Sequence, residues 1–184
     1  MSTIKVEELQ HISNSNNSVS IASDSSVSLK HSGSTKLATT ATGVSVTGTL
    51  TGSVDLSGLL KEGVNITAGK LSDNTNIDLA NGMVHLFTTA ETTTSTPNIR
   101  VSSSTTLDSS MSVGEVISVT IITTAAAAGY SAQLTIDGAA VTENWVGGSA
   151  PSAGGSSGVD IYSYTIIKTA SATFTVIGNL SKTS

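Results

Sequence analysis

The first half of the chain repeats a short unit in which two aliphatic residues stand two positions apart and a polar turn follows. Ser, Thr, Asn and Gly fill most of the positions between these units. The apolar positions are Val19, Ile21, Val27, Leu29, Leu37, Val44 and Val46. A period of two predicts strands with one apolar face. Because each strand offers so few apolar side chains, the segment cannot enclose a core alone, and we expect copies of the chain to share this stripe around a common axis, as in a fibrous shaft.

The composition favours β-structure and offers little catalytic chemistry. Ser and Thr make up 60 of the 184 residues, whereas charged residues account for 11% and aromatic residues for 3%. Val, Ile and Thr are abundant and the usual helix formers are sparse, which predicts an all-β chain. A chain rich in Ser and Thr can also be disordered, but the mean hydropathy of +0.18 and the low net charge of -5 argue for an ordered one.

The charge balance and the lack of long apolar runs limit the classes of partner that we expect. With 13 acidic and 8 basic residues, the chain lacks the clustered Lys and Arg that phosphate binding needs, so nucleic acid is not an expected partner. The N-terminus has no apolar signal-peptide core and no run of 18 apolar residues exists, so we expect a protein that is made in a cytoplasm and does not insert into a membrane. The absence of Cys excludes disulfides and thiolate metal sites.

The pattern divides the chain into three parts. Residues 1–13 form an opening segment whose apolar spacing fits a short strand or an amphipathic turn, and which is either a docking segment or a frayed terminus. Residues 14–82 read as the β-rich shaft, with one helical turn at 56–62 and the stripe continuing through Val64, Ile66, Leu71, Ile77 and Leu79. Residues 83–184 carry longer strands at close spacing, which predicts a β-sandwich.

The predicted strands of the third part are 83–88, 98–102, 113–123, 130–136, 139–145, 159–168 and 172–178. Residues 116–122 place bulky side chains on both faces, which favours a strand that is covered by a second sheet on one side and by a neighbouring subunit on the other. Asp137 and Gly138 separate two alternating segments and predict a tight hairpin turn.

Three stretches resemble structural proteins of tailed bacteriophages. Residues 33–50, GSTKLATTATGVSVTGTL, are similar to the shaft unit of phage fibre and tail-fibre-like proteins. The opening MSTIKVEELQ resembles the N-termini of virion structural proteins from phages of cyanobacteria and other marine bacteria. Residues 136–174 resemble the C-terminal domain of such fibres, with an IDG turn, Trp145 and the strand DIYSYTII.

The resemblance implies a homotrimeric, non-enzymatic protein on the surface of a virion, with an N-terminal trimeric β-stalk and a C-terminal β-sandwich knob. The opening segment would attach the protein to the capsid or the tail through its apolar residues, Ile4, Val6, Leu9 and Ile12. The knob would attach to a host-surface glycan or protein. At 184 residues the chain is short for a tail fibre, so the alternative is a capsid-decorating (cement) protein that stabilises the head and has no receptor role.

The residue types that serve recognition concentrate in one C-terminal segment. Trp145 is the only Trp, it adjoins a Gly-rich loop at 147–155, and Tyr162 and Tyr164 follow. A Trp exposed beside Tyr residues is typical of sugar stacking or of an interface hot spot. The alternative is that Trp145 is a main core residue of a sandwich that has few aromatic side chains.

No catalytic, cofactor-binding or metal site is predicted. Residues 154–158 match the letters of a nucleophile elbow, but a Gly-rich loop precedes them and a strand follows, whereas that motif needs a strand and then a helix. His11, His31 and His85 lack a second ligand at metal spacing, although one His31 from each chain of a trimer would make a three-His site. The acidic turn at 73–78 lacks the Gly and the closing Glu of a calcium loop.

Overall fold

The computed structural model describes residues 8–10, 17–48, 50 and 57–183. Strands account for 48% of the residues and helices for 6%, which confirms the predicted all-β class. The chain divides into two compact units, Met1–Gly58 and Leu59–Ser184, and each is described by itself.

The described part of the N-terminal unit is an antiparallel meander. Its strands are β1 (Glu8–Gln10), β2 (Asn17–Ile21), β3 (Val27–His31), β4 (Ser34–Thr40) and β5 (Gly43–Val46). They lie in the sheet in chain order. Ser32 and Gly33 form the two-residue turn between β3 and β4, and both have the positive φ that such turns require. The two-residue alternation therefore predicts β2 to β5 to within a few residues, whereas β1 is not among the predicted strands.

The C-terminal unit packs a larger sheet against a smaller one. Its elements are β6 (Val64–Thr67), β7 (Asn76–Asp78), β8 (Val84–Ala90), β9 (Asn98–Arg100), α1 (Leu107–Ser110), β10 (Val116–Thr124), β11 (Thr135–Ile136), β12 (Ala139–Ala140), β13 (Glu143–Trp145), β14 (Val159–Ala170) and β15 (Thr173–Lys182). Two single 3-10 turns, Leu71–Asp73 and Leu79–Asn81, flank β7. The strand order is β13-β15-β14-β10-β8-β6 in the larger sheet and β12-β11-β9-β7 in the smaller one.

A single hydrophobic core joins the two sheets of the C-terminal unit. The smaller sheet contributes Ile77, Ile99 and Ile136, and the larger sheet contributes Val119, Ile121, Tyr162, Tyr164, Ile166 and Val176. Side chains from the connections complete it, among them Leu71, Leu107, Met111 and Leu134. Two sheets that share one core are a sandwich, as the close spacing of the strands predicts.

The unit boundary differs from the predicted end of the shaft at residue 82. The compact units divide after residue 58, and β6 and β7 pair with strands of the C-terminal sandwich. Leu71 and Ile77 are buried in its core rather than placed on the N-terminal stripe. The predicted helical turn at 56–62 is also wrong for residues 57–62, which are exposed and irregular; Leu56 lies outside the described residues. Any strand with one buried face shows a period of two, so the period does not reveal which sheet the strand joins.

The segment before β11 is the main error among the predicted strands. Residues 130–136 are predicted as one strand, but only Thr135–Ile136 is a strand. Side chains satisfy the backbone there, since Ser131 N–H donates to the Tyr162 hydroxyl at 3.1 Å and Leu134 N–H donates to the Glu143 carboxylate at 2.5 Å. A backbone whose donors are satisfied in this way does not need a strand partner.

The predicted turn at Asp137 and Gly138 is confirmed and has a second role. Both residues have positive φ, 52° and 82°, and they connect the short strands β11 and β12. The Asp137 carboxylate accepts hydrogen bonds from Leu107 N–H at 2.7 Å and Asp108 N–H at 2.9 Å. The hairpin therefore also caps the start of α1, a helix that the sequence pattern does not predict.

Candidate functional site

The five-stranded sheet of the N-terminal unit carries a continuous apolar row on one face. The residues that lie directly opposite one another across successive strands are Leu9, Val19, Leu29, Leu37 and Val46. Opposed residues of antiparallel strands point to the same side, so these five side chains form one row. A second row beside it contains Ile21, Val27 and Val44. We call these eight residues the shaft face; they include all seven residues predicted for the shared core.

The centre of the opposite side of this sheet is built from small side chains. Ser20 lies opposite Ser28, Ser28 opposite Ala38, and Ala38 opposite Ser45. The sheet is therefore apolar on one side only, as the alternation in the sequence predicts.

Much of the shaft face is open to solvent. Leu29 is 44% exposed and Val44 is 62% exposed, and Ile21 and Val46 are exposed as well. Val19, Val27 and Leu37 are half-buried by their neighbours in the sheet. Burying the exposed half of one such side chain would stabilise an assembly by about 1 kcal/mol, so the whole face represents a substantial driving force for association.

The predicted attachment residues are only partly covered by the structure. Ile4, Val6 and Ile12 lie outside the described residues. Leu9 lies in β1, is exposed, and stands opposite Val19 at one end of the shaft face. The geometry thus places Leu9 with the shaft residues.

The larger sheet of the C-terminal unit carries a second apolar surface on the side away from the core. Ile66 lies opposite Leu86, Leu86 opposite Ile122, and Ile122 opposite Ile161, so the row crosses four strands. Ile66 is 66% exposed and the other three are half-buried. We call this surface the outer face and add to it the aliphatic residues on the same side, Val64, Val84, Val116, Ile167 and Ile177.

Strand β10 shows why this surface exists. Val119 and Ile121 point into the core and are fully buried, while Val116 is 58% exposed and Ile122 is half-buried on the outer face. The expectation that both faces of this strand are apolar is therefore met. That a neighbouring subunit covers the outer face stays a prediction.

The three predicted recognition residues take different positions. Tyr162 and Tyr164 are only 1% exposed and belong to the core, so the expectation that they contact a ligand is wrong. Alternation explains this, because Tyr162, Tyr164 and Ile166 occupy every second position of β14 and share its inward face. Trp145 is half-buried on the edge strand β13, and its ring lies 6.0 Å from that of Tyr164 at an interplanar angle of 70°.

Trp145 borders a groove at the edge of the sandwich. The cavity has a volume of about 450 Å³ and is lined by Trp145, Glu143, Asn144, Gln133, Gly148 and Ala150, among others. A smaller cavity of about 170 Å³, to which Lys182 contributes, also borders the Trp145 ring. We call the larger cavity the Trp145 groove. It combines one aromatic ring with amide and carboxylate groups, an arrangement suited to binding a polar ligand.

Burial shifts the pKa of three side chains in the C-terminal unit, Tyr162, Tyr164 and His85. It raises the pKa of Tyr162 to about 12 and raises the pKa of Tyr164 still further. It lowers the pKa of His85 below 6.5. The His85 ring is positioned by Gly82, whose carbonyl lies 3.0 Å from Nε2, and by Asn65, whose Nδ2 lies 3.1 Å from Nδ1. This geometry fits a neutral ring that donates from Nε2 and accepts at Nδ1.

Sequence reasoning did not identify Gln133 and Asn144 as groove residues. The groove forms where the connection before β11 meets the edge strand β13, and no linear motif signals such a meeting. In the described part of the chain, no helix is long and apolar enough to cross a membrane. Those same residues include no group of three or more His, Cys, Asp or Glu side chains placed to hold a metal ion. No protein-family model, no curated protein and no solved structure matches this chain.

Proposed function

We propose that this chain is a non-enzymatic structural protein of a bacteriophage virion, a homotrimeric surface fibre. Its N-terminal segment attaches it to the capsid or tail, and its C-terminal sandwich serves as the knob that contacts the host surface. One observation carries the proposal: both units leave a broad aliphatic face open in the single chain, the shaft face and the outer face.

Open aliphatic faces of this extent support assembly. Monomeric proteins rarely expose large contiguous apolar patches, and such patches mark interaction surfaces. Leu9, Val19, Leu29, Leu37 and Val46 each lie opposite another member of the row on a neighbouring strand, so a partner can cover the row as a single strip.

Further copies of the same chain are the partner that best suits these faces. Identical subunits around a closed axis each bring the same strip to the centre, and no unmatched surface remains. The shaft face contains no charged residue, which is the composition expected at the centre of a permanent interface. The number of three copies and the virion context come from the resemblance of residues 33–50 to phage fibre shafts.

A trimer also explains how a small knob can hold a particle on a cell. Three identical sites on each fibre, and many fibres on each particle, convert weak individual contacts into firm attachment, because each later contact forms at a high effective concentration.

Native mass spectrometry of the full-length protein tests the assembly. We expect the mass of three chains, and we expect it to persist on dilution, since the apolar faces separate only at a large cost. A monomer or a dimer as the dominant species would contradict the proposal.

A further inference from the structure

We propose that the Trp145 groove binds a neutral pyranose sugar of a host-surface glycan. This inference rests on the attachment role proposed above and names the chemical class of the ligand. A pyranose has one face of C–H groups and a rim of hydroxyls, so it needs an aromatic platform flanked by hydrogen-bonding groups. The groove supplies both, and its volume of about 450 Å³ is ample for one sugar ring.

Two neighbours, Gly178 and Tyr164, fix the position of the Trp145 indole. One face of its six-membered ring covers Gly178, where a side-chain Cβ would come within 3.1 Å of Cε3 and 3.2 Å of Cζ3. The ring of Tyr164 meets the indole edge to face at 6.0 Å. Because the ring is already fixed while part of it remains accessible, stacking a ligand on it costs little conformational entropy.

Two amide side chains belong to residues that line the groove, and a hydrogen bond ties only one of them to the described fold. Asn144 Nδ2 donates to the Val176 carbonyl at 3.0 Å, and the residue lies opposite Ile177, so its side chain is on the outer side of β13, away from Trp145. Gln133 is exposed on the facing connection and brings both an amide donor and a carbonyl acceptor. The Gln133 amide matches the hydroxyls of a sugar rim, which both donate and accept.

Glu143 sets the charge of the ligand. Its Oε1 accepts the Leu134 N–H at 2.5 Å, which holds the carboxylate in the wall of the groove. A fixed negative charge favours hydroxyl donors and repels a second carboxylate, so neutral sugars should bind better than uronic and sialic acids. Trp145 and Glu143 lie opposite Gly178 and Val176 on the core side of the edge strand β13, away from the outer face, so assembly through the outer face leaves the indole accessible.

The single Trp makes the site directly observable, because the intrinsic indole fluorescence of the chain comes from Trp145 alone. The full-length protein is titrated with methyl pyranosides of gluco, galacto, manno and N-acetylglucosamine configuration, and with methyl glucuronide as the acidic counterpart. We expect at least one neutral pyranoside to change the emission in a saturable way, and the glucuronide to bind at least several-fold more weakly. If no neutral pyranoside changes the emission, or if the glucuronide binds best, the inference is overturned.

Variants locate the binding within the groove. Gln133→Ala removes a polar wall group that no hydrogen bond ties to the fold in the described residues, so it should fold normally and weaken binding several-fold. Trp145→Phe, followed by ligand-observed saturation-transfer NMR, should weaken it by roughly tenfold, the loss typical of a truncated aromatic anchor. Val113→Ala, an exposed residue outside the groove, is the matched control and should bind as the parent does. Unchanged affinity in Gln133→Ala would place the sugar elsewhere and reject the site.

The outcome is independent of the assembly test. A trimer that binds no neutral pyranoside overturns this inference and leaves the proposed assembly intact. A monomer that binds one with the expected dependence on Gln133 supports the sugar site and rejects the trimer.

Discussion

Trp145 and Gly178 lie against each other across the edge of the larger sheet, with the indole ring covering the glycine Cα. A Cβ at position 178 would approach three ring atoms of Trp145 to between 3.1 and 3.3 Å. Gly178 is also buried between the strands that carry Trp145 and Tyr164. The absence of a side chain at this position is therefore what allows the indole to lie flat over the sheet.

Gly178→Ala should displace the indole and weaken the sandwich. Overpacking of this kind costs about 1 to 2 kcal/mol of unfolding free energy. Urea denaturation gives the stability, and Trp emission, shifted to longer wavelength, reports the displaced ring. Gly58→Ala is the control, since a Cβ there meets nothing within 4 Å. Equal stability of the two variants would show that the contact is not tight.

Leu29→Asp should weaken assembly through the shaft face. A carboxylate in the middle of the apolar row cannot be buried without a large desolvation penalty, so we expect trimers to dissociate at a concentration at least roughly tenfold higher than for the parent. A concentration series in the analytical ultracentrifuge measures this. Ser28→Asp adds the same charge to the neighbouring position on the opposite side of the sheet and should leave assembly unchanged. The same response from both variants would mean that the shaft face is not the interface.

Ile66→Asp tests the outer face in the same way. Ile66 is highly exposed in the single chain, so the substitution should leave the folding of the sandwich intact and destabilise only the assembly. Val113→Asp, exposed in the turn before β10, is the matched control. Combined with Leu29→Asp, the Ile66 variant should yield monomers in sedimentation runs. A persistent trimer in the double variant would argue for an interface that uses neither face.

His85 should make the C-terminal unit less stable on mild acidification. Burial lowers the pKa of folded His85 below the 6.5 of the unfolded chain, and the hydrogen bond to the Gly82 carbonyl and the charge of Asp78 oppose this shift only in part. Below about pH 6.5 the unfolded state therefore binds a proton that the folded state does not, and stability falls until the folded pKa is reached. Denaturation curves at several pH values between about 5 and 8 measure the slope. His85→Gln should flatten it, and an unchanged slope would assign it to other groups.

Lys168 should stabilise the contact between β14, the strand that carries it, and the helix α1. Its buried ammonium donates to the carbonyls of Asp108 at 2.5 Å and Met111 at 2.9 Å, and it lies 2.7 Å from the Asp108 carboxylate. The same contact holds the pKa of Asp108 below its ordinary value. Lys168→Met should lower the unfolding free energy by roughly 2 kcal/mol, as expected when hydrogen bonds to a buried charge are lost. Lys182→Met, an exposed lysine on β15, serves as the control in the same denaturation assay.

Local pattern was sufficient to predict most strands. The strands β2 to β5, the long strands β10, β14 and β15, and the turn at Asp137 and Gly138 all follow from alternation and turn chemistry. These are properties of a few neighbouring residues, and the backbone expresses them wherever the segment lies. The one-sided shaft face also follows from the sequence, because an apolar residue at every second position must fall on one side of a strand.

Only the tertiary structure decided which sheet each strand joined and which aromatic side chains stayed accessible. Val64 and Ile66 show the same alternation as the N-terminal strands, yet they form the edge of the C-terminal sandwich, since pairing depends on distant strands such as β8. The sequence predicts the same recognition role for Tyr162 and Trp145, but Tyr162 fills the core and Trp145 borders a groove. Burial is set by what packs against a residue from elsewhere in the chain, and a short stretch of sequence does not contain that information.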